Sequence, residues 1–184
     1  MTGPSSIGAG DLGAHRVLIY GVTGSGKTTL ARRLSAATGL PWYSADDEIG
    51  WRPGWVQTPL GDQRRLAEVV CRRDDWILDT AYASWRDVVL DRVELIVALD
   101  YPRRVSLARL VRRTIARIVD RREICNGNHE TLRQALSDES ILAWHFRSFT
   151  GKRRRIAAWC ADPDAPPVLR FTRPRDVQRW LAGR

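Results

Sequence analysis

One run of eight residues constrains this chain more than any other part of it: Gly21-Val22-Thr23-Gly24-Ser25-Gly26-Lys27-Thr28. An apolar stretch with strand character, residues 16–20, precedes the run, and a helical pattern, residues 29–37, follows it. Glycines at the first and sixth positions, followed by Lys and Thr, allow a backbone loop to curl around phosphate oxygens at a helix N-terminus. The order of strand, loop and helix therefore predicts a phosphate-binding loop.

The side chains of this loop predict a site for a nucleotide and magnesium. Lys27 can reach the β and γ phosphates, and the Thr28 hydroxyl can bind Mg²⁺. A glycine-rich turn without a ligand is the alternative, but such a turn has no need of a Lys-Thr pair. Of the 30 Lys and Arg residues only two are lysines, Lys27 and Lys152. The residues expected to bind the nucleotide in this loop are Gly21, Thr23, Gly24, Ser25, Gly26, Lys27, Thr28 and Thr29.

Strand and helix patterns alternate along the rest of the 184 residues. Strands are predicted at 16–20, 42–44, 76–78, 95–99 and 168–171. Helices are predicted between them, including a long one over 132–160 with a break near residues 150–151. This alternation predicts an α/β fold, a doubly wound five-stranded parallel sheet with helices on both faces. We expect one domain over residues 15–184 behind a flexible tail of residues 1–14.

Positive charge is concentrated in one segment. Residues 101–155 contain 14 Lys and Arg against 5 Asp and Glu, whereas the rest of the chain is balanced at 16 against 16. Such a block indicates an anionic partner, which could be nucleotide phosphates, nucleic acid or a membrane surface. The chain has no apolar run of membrane-spanning length and no secretory signal pattern, so we expect a cytoplasmic protein without a membrane partner. Three scattered cysteines indicate neither disulfides nor a zinc site.

The loop, the five strands and the arginine-rich segment together resemble the small P-loop kinases, the adenylate kinase and shikimate kinase group. Within that group the chain is most similar to the topology modulation proteins, which are adenylate-kinase-like. Five motifs carry this likeness: Ser44-Ala45-Asp46, Trp51-Arg52-Pro53-Gly54-Trp55, Trp76-Ile77-Leu78-Asp79, Leu99-Asp100-Tyr101-Pro102 and Arg112-Arg113-Thr114. The resemblance implies transfer of the γ-phosphate of Mg-ATP to a small-molecule acceptor, with a nucleoside monophosphate as the leading candidate. One departure is Asp79-Thr80, where these proteins usually have Asp-Gly.

Two carboxylates compete for the predicted metal. In the sheet order of the resembling kinases, Asp79 ends the strand beside the phosphate-binding loop and can hold a magnesium-bound water next to Thr28. Asp100 ends the strand on the other side, before Tyr101-Pro102, a pattern that more often starts a helix. Asp79 is therefore favoured over Asp100, and both remain candidates.

A third carboxylate, Asp46, follows the second strand. The resemblance implies that Asp46 orients or deprotonates the acceptor, since a carboxylate within hydrogen-bond reach can accept a hydroxyl proton. An acidic helix N-terminus with no catalytic role is an equally weighted alternative. We expect an acceptor-binding insert over about residues 45–75, where Trp51 and Trp55 could line a pocket.

Arginines recur at every fourth position of the helix that follows the fourth strand. The resemblance implies that this helix leads into a lid over about residues 113–140, whose arginines clamp the transferring phosphate. Arg113, Arg117 and Arg121 are the candidate catalytic arginines, and Arg109 is expected to bind the nucleotide. Arg173 follows the fifth strand, where this fold usually packs adenine. A solvated helix face is the alternative for each single arginine of the helix, and a simple strand-to-helix turn is the alternative at Arg173.

A rival function is a P-loop ATPase or nucleotide-binding regulator that contacts DNA through the basic segment. Nucleic acid is therefore a less favoured partner, and strong salt dependence would distinguish it from a lid that closes on ATP. A non-catalytic nucleotide binder is disfavoured by the intact Lys27, Thr28 and Asp79. The sequence carries no signal for the acceptor's identity or for an oligomeric state.

Overall fold

A computed structural model of the chain describes residues 12–120, 123–124, 128–129 and 140–183. Its strands are β1 (Arg16–Gly21), β2 (Trp42–Tyr43), β3 (Trp51–Arg52), β4 (Val56–Gln57), β5 (Trp76–Leu78), β6 (Leu95–Leu99), β7 (Glu123–Ile124), β8 (Asn128–His129) and β9 (Val168–Phe171). Its α-helices are α1 (Lys27–Thr38), α2 (Leu60–Cys71), α3 (Arg86–Leu90), α4 (Arg103–Val119), α5 (Ile141–Ala161) and α6 (Pro174–Leu181).

Five strands form one parallel sheet in the order β2-β5-β1-β6-β9. The central strand β1 pairs with β5 on one side and β6 on the other, so that Val17 lies between Ile77 and Leu95. The predicted α/β fold with a five-stranded parallel sheet is confirmed. Because the carboxyl ends of parallel strands meet at one edge, the loop after β1 lies between the loops after β5 and β6.

Side chains of β1 alternate between two hydrophobic cores. Leu18 and Tyr20 pack in the core that contains Trp76 and Trp85, and Val17 and Ile19 pack in the core on the opposite face. All four are essentially inaccessible to solvent. A strand covered on both faces explains why its sequence is a continuous apolar run, and it gives the loop that follows a rigid base.

Helix α5 corrects one expectation. The predicted break near residues 150–151 is wrong, because α5 runs without interruption from Ile141 to Ala161. His145, Phe149 and Ile156 are buried along one side of the helix. A glycine inside a helix costs only about 1 kcal/mol relative to alanine, and burial of these side chains exceeds that cost. Part of the helix predicted over 132–160 lies outside the described residues.

Short elements make up the expected acceptor-binding insert. Residues 45–57 form a π-helical turn (Ala45–Gly50), the antiparallel pair β3–β4 and a 3-10 turn (Pro53–Trp55), and α2 follows. Of the expected lid, the structure describes the end of α4 and the antiparallel pair β7–β8. Arg121, most of residues 121–139 and residues 1–11 of the expected tail lie outside the described residues. In the part of the chain that is described, no helix has the length and apolar character needed to cross a membrane.

Candidate functional site

Two glycines of the predicted phosphate-binding loop are required by its geometry. Gly24 has φ 80°, in the left-handed region. A Cβ atom at Gly24 would lie 2.3 Å from the carbonyl oxygen of Ser106, and one at Gly21 would lie 2.8 Å from that of Leu99. The loop is therefore packed tightly against α4 and β6, where only glycine fits.

Lys27 begins α1 and folds back over the loop. Its Nζ donates a hydrogen bond to the carbonyl oxygen of Val22 over 3.2 Å. Burial lowers the pKa of Lys27, and the carboxylates of Asp79 and Asp46 act in the opposite direction. The ammonium group of Lys27 is therefore held at the loop by a backbone carbonyl.

The strand-end carboxylates differ in their contacts. The Thr28 hydroxyl donates to Asp79 Oδ2 over 2.6 Å, and the Ala45 N–H donates to Asp79 Oδ1 over 3.0 Å. Asp79 is only 4% exposed, and burial raises its pKa against the effect of these hydrogen bonds. The structure thus joins Thr28 and Asp79, the two predicted metal ligands, in one contact.

Asp100 is engaged elsewhere. Arg153 Nε of α5 donates to Asp100 Oδ1 over 2.6 Å, and Arg170 Nε of β9 donates to Asp100 Oδ2 over 2.9 Å. Asp100 is 2% exposed, so this buried carboxylate joins α5 to the edge strand of the sheet. Both of its oxygens already accept from guanidinium groups.

These contacts bear on whether the site fits magnesium. Nowhere in the described residues do three or more His, Cys, Asp or Glu side chains form a cluster able to hold a metal. Magnesium bound to a nucleotide needs only one or two protein ligands, because phosphates and water complete its octahedron. A hydroxyl and a buried carboxylate 2.6 Å apart beside Lys27 fit that requirement.

Asp46 lies in the first turn of the π-helical segment, whose N-cap is Ser44. The Tyr82 hydroxyl donates a hydrogen bond to Asp46 Oδ1. Asp46 is close enough to Lys27 and Lys152 for its charge to oppose the lowering of the pKa of both ammonium groups by burial. The carboxylate of Asp46 therefore lies near Lys27 and also belongs to an acidic first turn, and its role at the acceptor stays a prediction.

The candidate arginines lie at different distances from the loop. Arg109 NH1 donates to the Ser25 carbonyl oxygen over 3.3 Å and stacks over the Tyr101 ring. Arg113, one turn further along α4, is close enough to Lys27 to lower its pKa. Arg117 lies another turn along α4. Arg173 is exposed at the N-cap of α6.

An open cavity of about 300 Å³ lies beside the loop. Its lining residues come from the loop, α1, β6, α4 and α6. They include Gly24, Ser25, Gly26, Thr29, Arg109 and Arg113, but neither Arg117 nor Arg173. Several of the residues predicted to bind the nucleotide therefore line one cavity at the edge of the sheet.

Two residues that the sequence analysis did not assign also reach the loop, and both lie on α5. Lys152 Nζ donates to the Gly21 carbonyl oxygen over 3.3 Å and lies 5.7 Å from the centre of the Tyr20 ring. Burial, with the charge of Lys27, lowers the pKa of Lys152 to about 7. The rarity of lysine was the sequence signal that could have identified Lys152.

The other unassigned residue is His145. Its Nδ1 lies 3.0 Å from the carbonyl oxygen of Thr23, and its side chain is fully buried. A lone histidine on a helix face is usually a packing residue, so no sequence signal distinguished it.

The chain is similar in structure to several solved kinases. A shikimate kinase from Acinetobacter baumannii, in complex with shikimate, superposes with a TM-score of 0.54 and 17% identity over 91% of this chain and 89% of that chain. A gluconokinase from Sinorhizobium meliloti 1021 superposes with a TM-score of 0.51 and 17% identity, over 92% of this chain and 90% of that chain. A sugar kinase from Janibacter sp. HTCC2649 superposes with a TM-score of 0.50 and 19% identity, over 90% of this chain and 89% of that chain.

At these identities the likeness shows the fold alone: the chain has the fold of the small P-loop kinases, as predicted. No protein-family model and no curated protein matches the chain.

Proposed function

We propose that this protein is a phosphotransferase that moves the γ-phosphate of Mg-ATP to a small-molecule acceptor. The observation that carries the proposal is the contact of Thr28 with Asp79 next to Lys27, at the mouth of the glycine loop. A cation, a hydroxyl and a buried carboxylate at a helix N-terminus are the groups that phosphoryl transfer from a magnesium-bound nucleotide requires.

Each of these groups has a part in the proposed reaction. Lys27 leaves the Val22 carbonyl and binds the β and γ phosphates. Thr28 and Asp79 would hold a magnesium ion, directly or through its water, and the chemistry supplied there would be neutralisation of phosphate charge. Arg109 and Arg113 line the cavity beside the loop, where Arg113 can stabilise charge that develops on the transferring group.

On the acceptor side we assign Asp46 as the group that orients or deprotonates the acceptor. Lys152 lies near Asp46 and also near Arg86, and burial lowers the pKa of both cations. Arg86 Nε is buried, with no hydrogen-bond partner among the described residues. Cations buried together favour an anion between them, so we propose that the acceptor carries a negative charge. A nucleoside monophosphate, the leading candidate from the sequence resemblance, meets this requirement.

The test is a screen of candidate acceptors with Mg-ATP, in which ADP production is compared with a control that lacks acceptor. The panel holds nucleoside monophosphates, hydroxy acids, phosphorylated sugars and, as matched neutral compounds, nucleosides and unphosphorylated sugars. Acceptor-dependent ADP formation with an anionic member supports the proposal. Turnover only with neutral members would refute the anionic acceptor, and ADP formation with no acceptor dependence would refute the transferase.

A further inference from the structure

Helix α5 contacts the phosphate-binding loop at two carbonyl oxygens. His145 meets the carbonyl of Thr23, and Lys152 meets the carbonyl of Gly21. The two side chains are seven residues apart on the helix, which places them on one face two turns apart. Residues from a distant helix thus hold two peptide groups of the loop.

The contact at His145 defines the protonation of its ring. A carbonyl oxygen can only accept a hydrogen bond, so Nδ1 carries the hydrogen and donates it to Thr23. Nε2 is then the unprotonated nitrogen, and it is buried with no hydrogen-bond partner among the described residues. Burial lowers the pKa of His145, and the nearby charges of Arg103 and Lys152 act in the same direction. His145 is therefore neutral at neutral pH.

Rotation of the ring is opposed by its neighbours. The rings of Phe146 and Phe149 lie 5.8 Å and 5.5 Å from the His145 ring, centre to centre. A donor with a fixed ring fixes in turn the direction of the carbonyl that accepts from it.

The orientation of one peptide group follows from this bond. In a trans peptide the C=O of one residue and the N–H of the next point in opposite directions. Holding the Thr23 carbonyl toward α5 therefore directs the Gly24 N–H away from α5. Gly24 is itself packed against Ser106 and Leu110 of α4, so the peptide is restrained from both sides.

We propose that His145 is a positioning residue of the phosphate-binding loop, whose Nδ1–H holds the Thr23–Gly24 peptide in the orientation that receives a nucleotide phosphate. This inference rests on the proposed function, because it requires that the loop bind a nucleotide. His145 acts through the backbone and does not touch the phosphates.

The test compares three variants of His145 by calorimetric titration with Mg-ADP. In His145→Asn the side-chain amide nitrogen can take the place of Nδ1, in His145→Gln it takes the place of Nε2, and His145→Phe keeps an aromatic ring without a donor. We expect near wild-type affinity for the Asn variant and a loss of about three- to tenfold for the Gln and Phe variants, the scale of one hydrogen bond.

Ile156→Ala is the matched control for instability of α5, since Ile156 is buried on the same helix and apolar. We expect it to lower the melting temperature without weakening ADP binding.

Equal affinities of the Asn and Gln variants, or an equal loss of affinity in Ile156→Ala, would overturn the positioning role. If wild-type protein fails to bind Mg-ADP, the proposed function fails and this inference with it. If wild type binds and all three His145 variants bind equally well, only the inference fails. The Asn and Gln pair decides the matter even where His145→Phe does not fold.

Discussion

The two sides of the candidate site are built in different ways. On the nucleotide side, the predicted phosphate-binding loop is one continuous run between a strand buried from Val17 onward and the start of α1. On the proposed acceptor side, Asp46, Tyr82, Arg86 and Lys152 come from separate segments of the chain, with several helices and strands between them in sequence. The first side is encoded locally, whereas the second exists only when the chain is folded.

This difference has consequences for substitution. A local motif on a rigid base tolerates loss of a side chain without loss of shape, so changes there should affect chemistry more than stability. A site assembled from distant segments depends on each contact, so changes there should affect binding and stability together.

The largest effect is expected at Lys27. Lys27→Ala should reduce ATP turnover by more than about three orders of magnitude, because it removes the charge that stabilises the β and γ phosphates. The melting temperature should stay close to that of wild type, since burial of this ammonium group is itself unfavourable. Turnover assays and thermal melts measure both, and wild-type turnover would refute the P-loop assignment.

A smaller effect is expected at the arginines of α4 and the predicted lid. Single Ala variants of Arg113, Arg117 and Arg121 should each lower turnover about 10²- to 10³-fold, and ATP affinity less, if they contact the phosphate mainly in the transition state. Arg104→Ala is the control, because Arg104 lies on α4 but not in the cavity beside the loop. Unchanged turnover in all three variants would indicate that these arginines lie on a solvated helix face. It would then favour nucleic acid as the partner of the basic segment.

Substitution of Asp79 should affect the reaction, whereas substitution of Asp100 should affect stability. Asp79→Asn should raise the magnesium concentration needed for half-maximal turnover by about ten- to a hundredfold. Asp100→Asn should instead lower stability by about 1–3 kcal/mol, because Arg153 and Arg170 lose a charged acceptor, an effect limited by their partial exposure. Magnesium titrations and thermal melts of both variants test this. The reverse pattern would show that Asp100, and not Asp79, is the carboxylate that serves the metal.

The smallest effect is a pH dependence at Lys152. Its pKa of about 7 means that the ammonium is charged below this pH and neutral above it. KM for an anionic acceptor should therefore rise about three- to tenfold between pH 6 and pH 8, while KM for ATP changes less. Lys152→Arg keeps its charge and should abolish the dependence; a profile that is unchanged in this variant would contradict the assignment.

Linkage predicts the accompanying stability change at Lys152. The folded pKa lies below the unfolded value, so between about pH 7 and 10.5 the unfolded chain binds more protons. The free energy of unfolding contributed by this residue therefore rises with pH across that window. Chemical denaturation of wild type and Lys152→Arg at several pH values measures it.

The parts of the molecule that were predictable are those whose cause is local. The glycine loop, the strand before it and the alternation of strands and helices all follow from short-range patterns, and the fold was confirmed. The break near residues 150–151 was wrong because a glycine signals a local preference, whereas burial of His145, Phe149 and Ile156 depends on what α5 packs against.

Long-range contacts account for the rest. Asp79 and Asp100 look alike at two strand ends, and the pairing of Asp100 with Arg153 and Arg170 joins residues 53 and 70 positions apart. No periodicity reveals such a pairing. His145 and Lys152 likewise reach the loop from more than 120 positions away. The functional roles of all the predicted site residues, and of His145 and Lys152, stay predictions.

Because α5 is long, a small change in its angle moves the residues near its N-terminus by a measurable distance. Eleven residues separate His145 from the buried Ile156, which is about 16 Å along the helix axis. If Ile156 is the pivot, a tilt of about 2° displaces His145 by about 0.5 Å, which is enough to stretch its 3.0 Å contact with Thr23 to the limit of a hydrogen bond. The direction of the Thr23 carbonyl is therefore coupled, through His145, to the angle of α5.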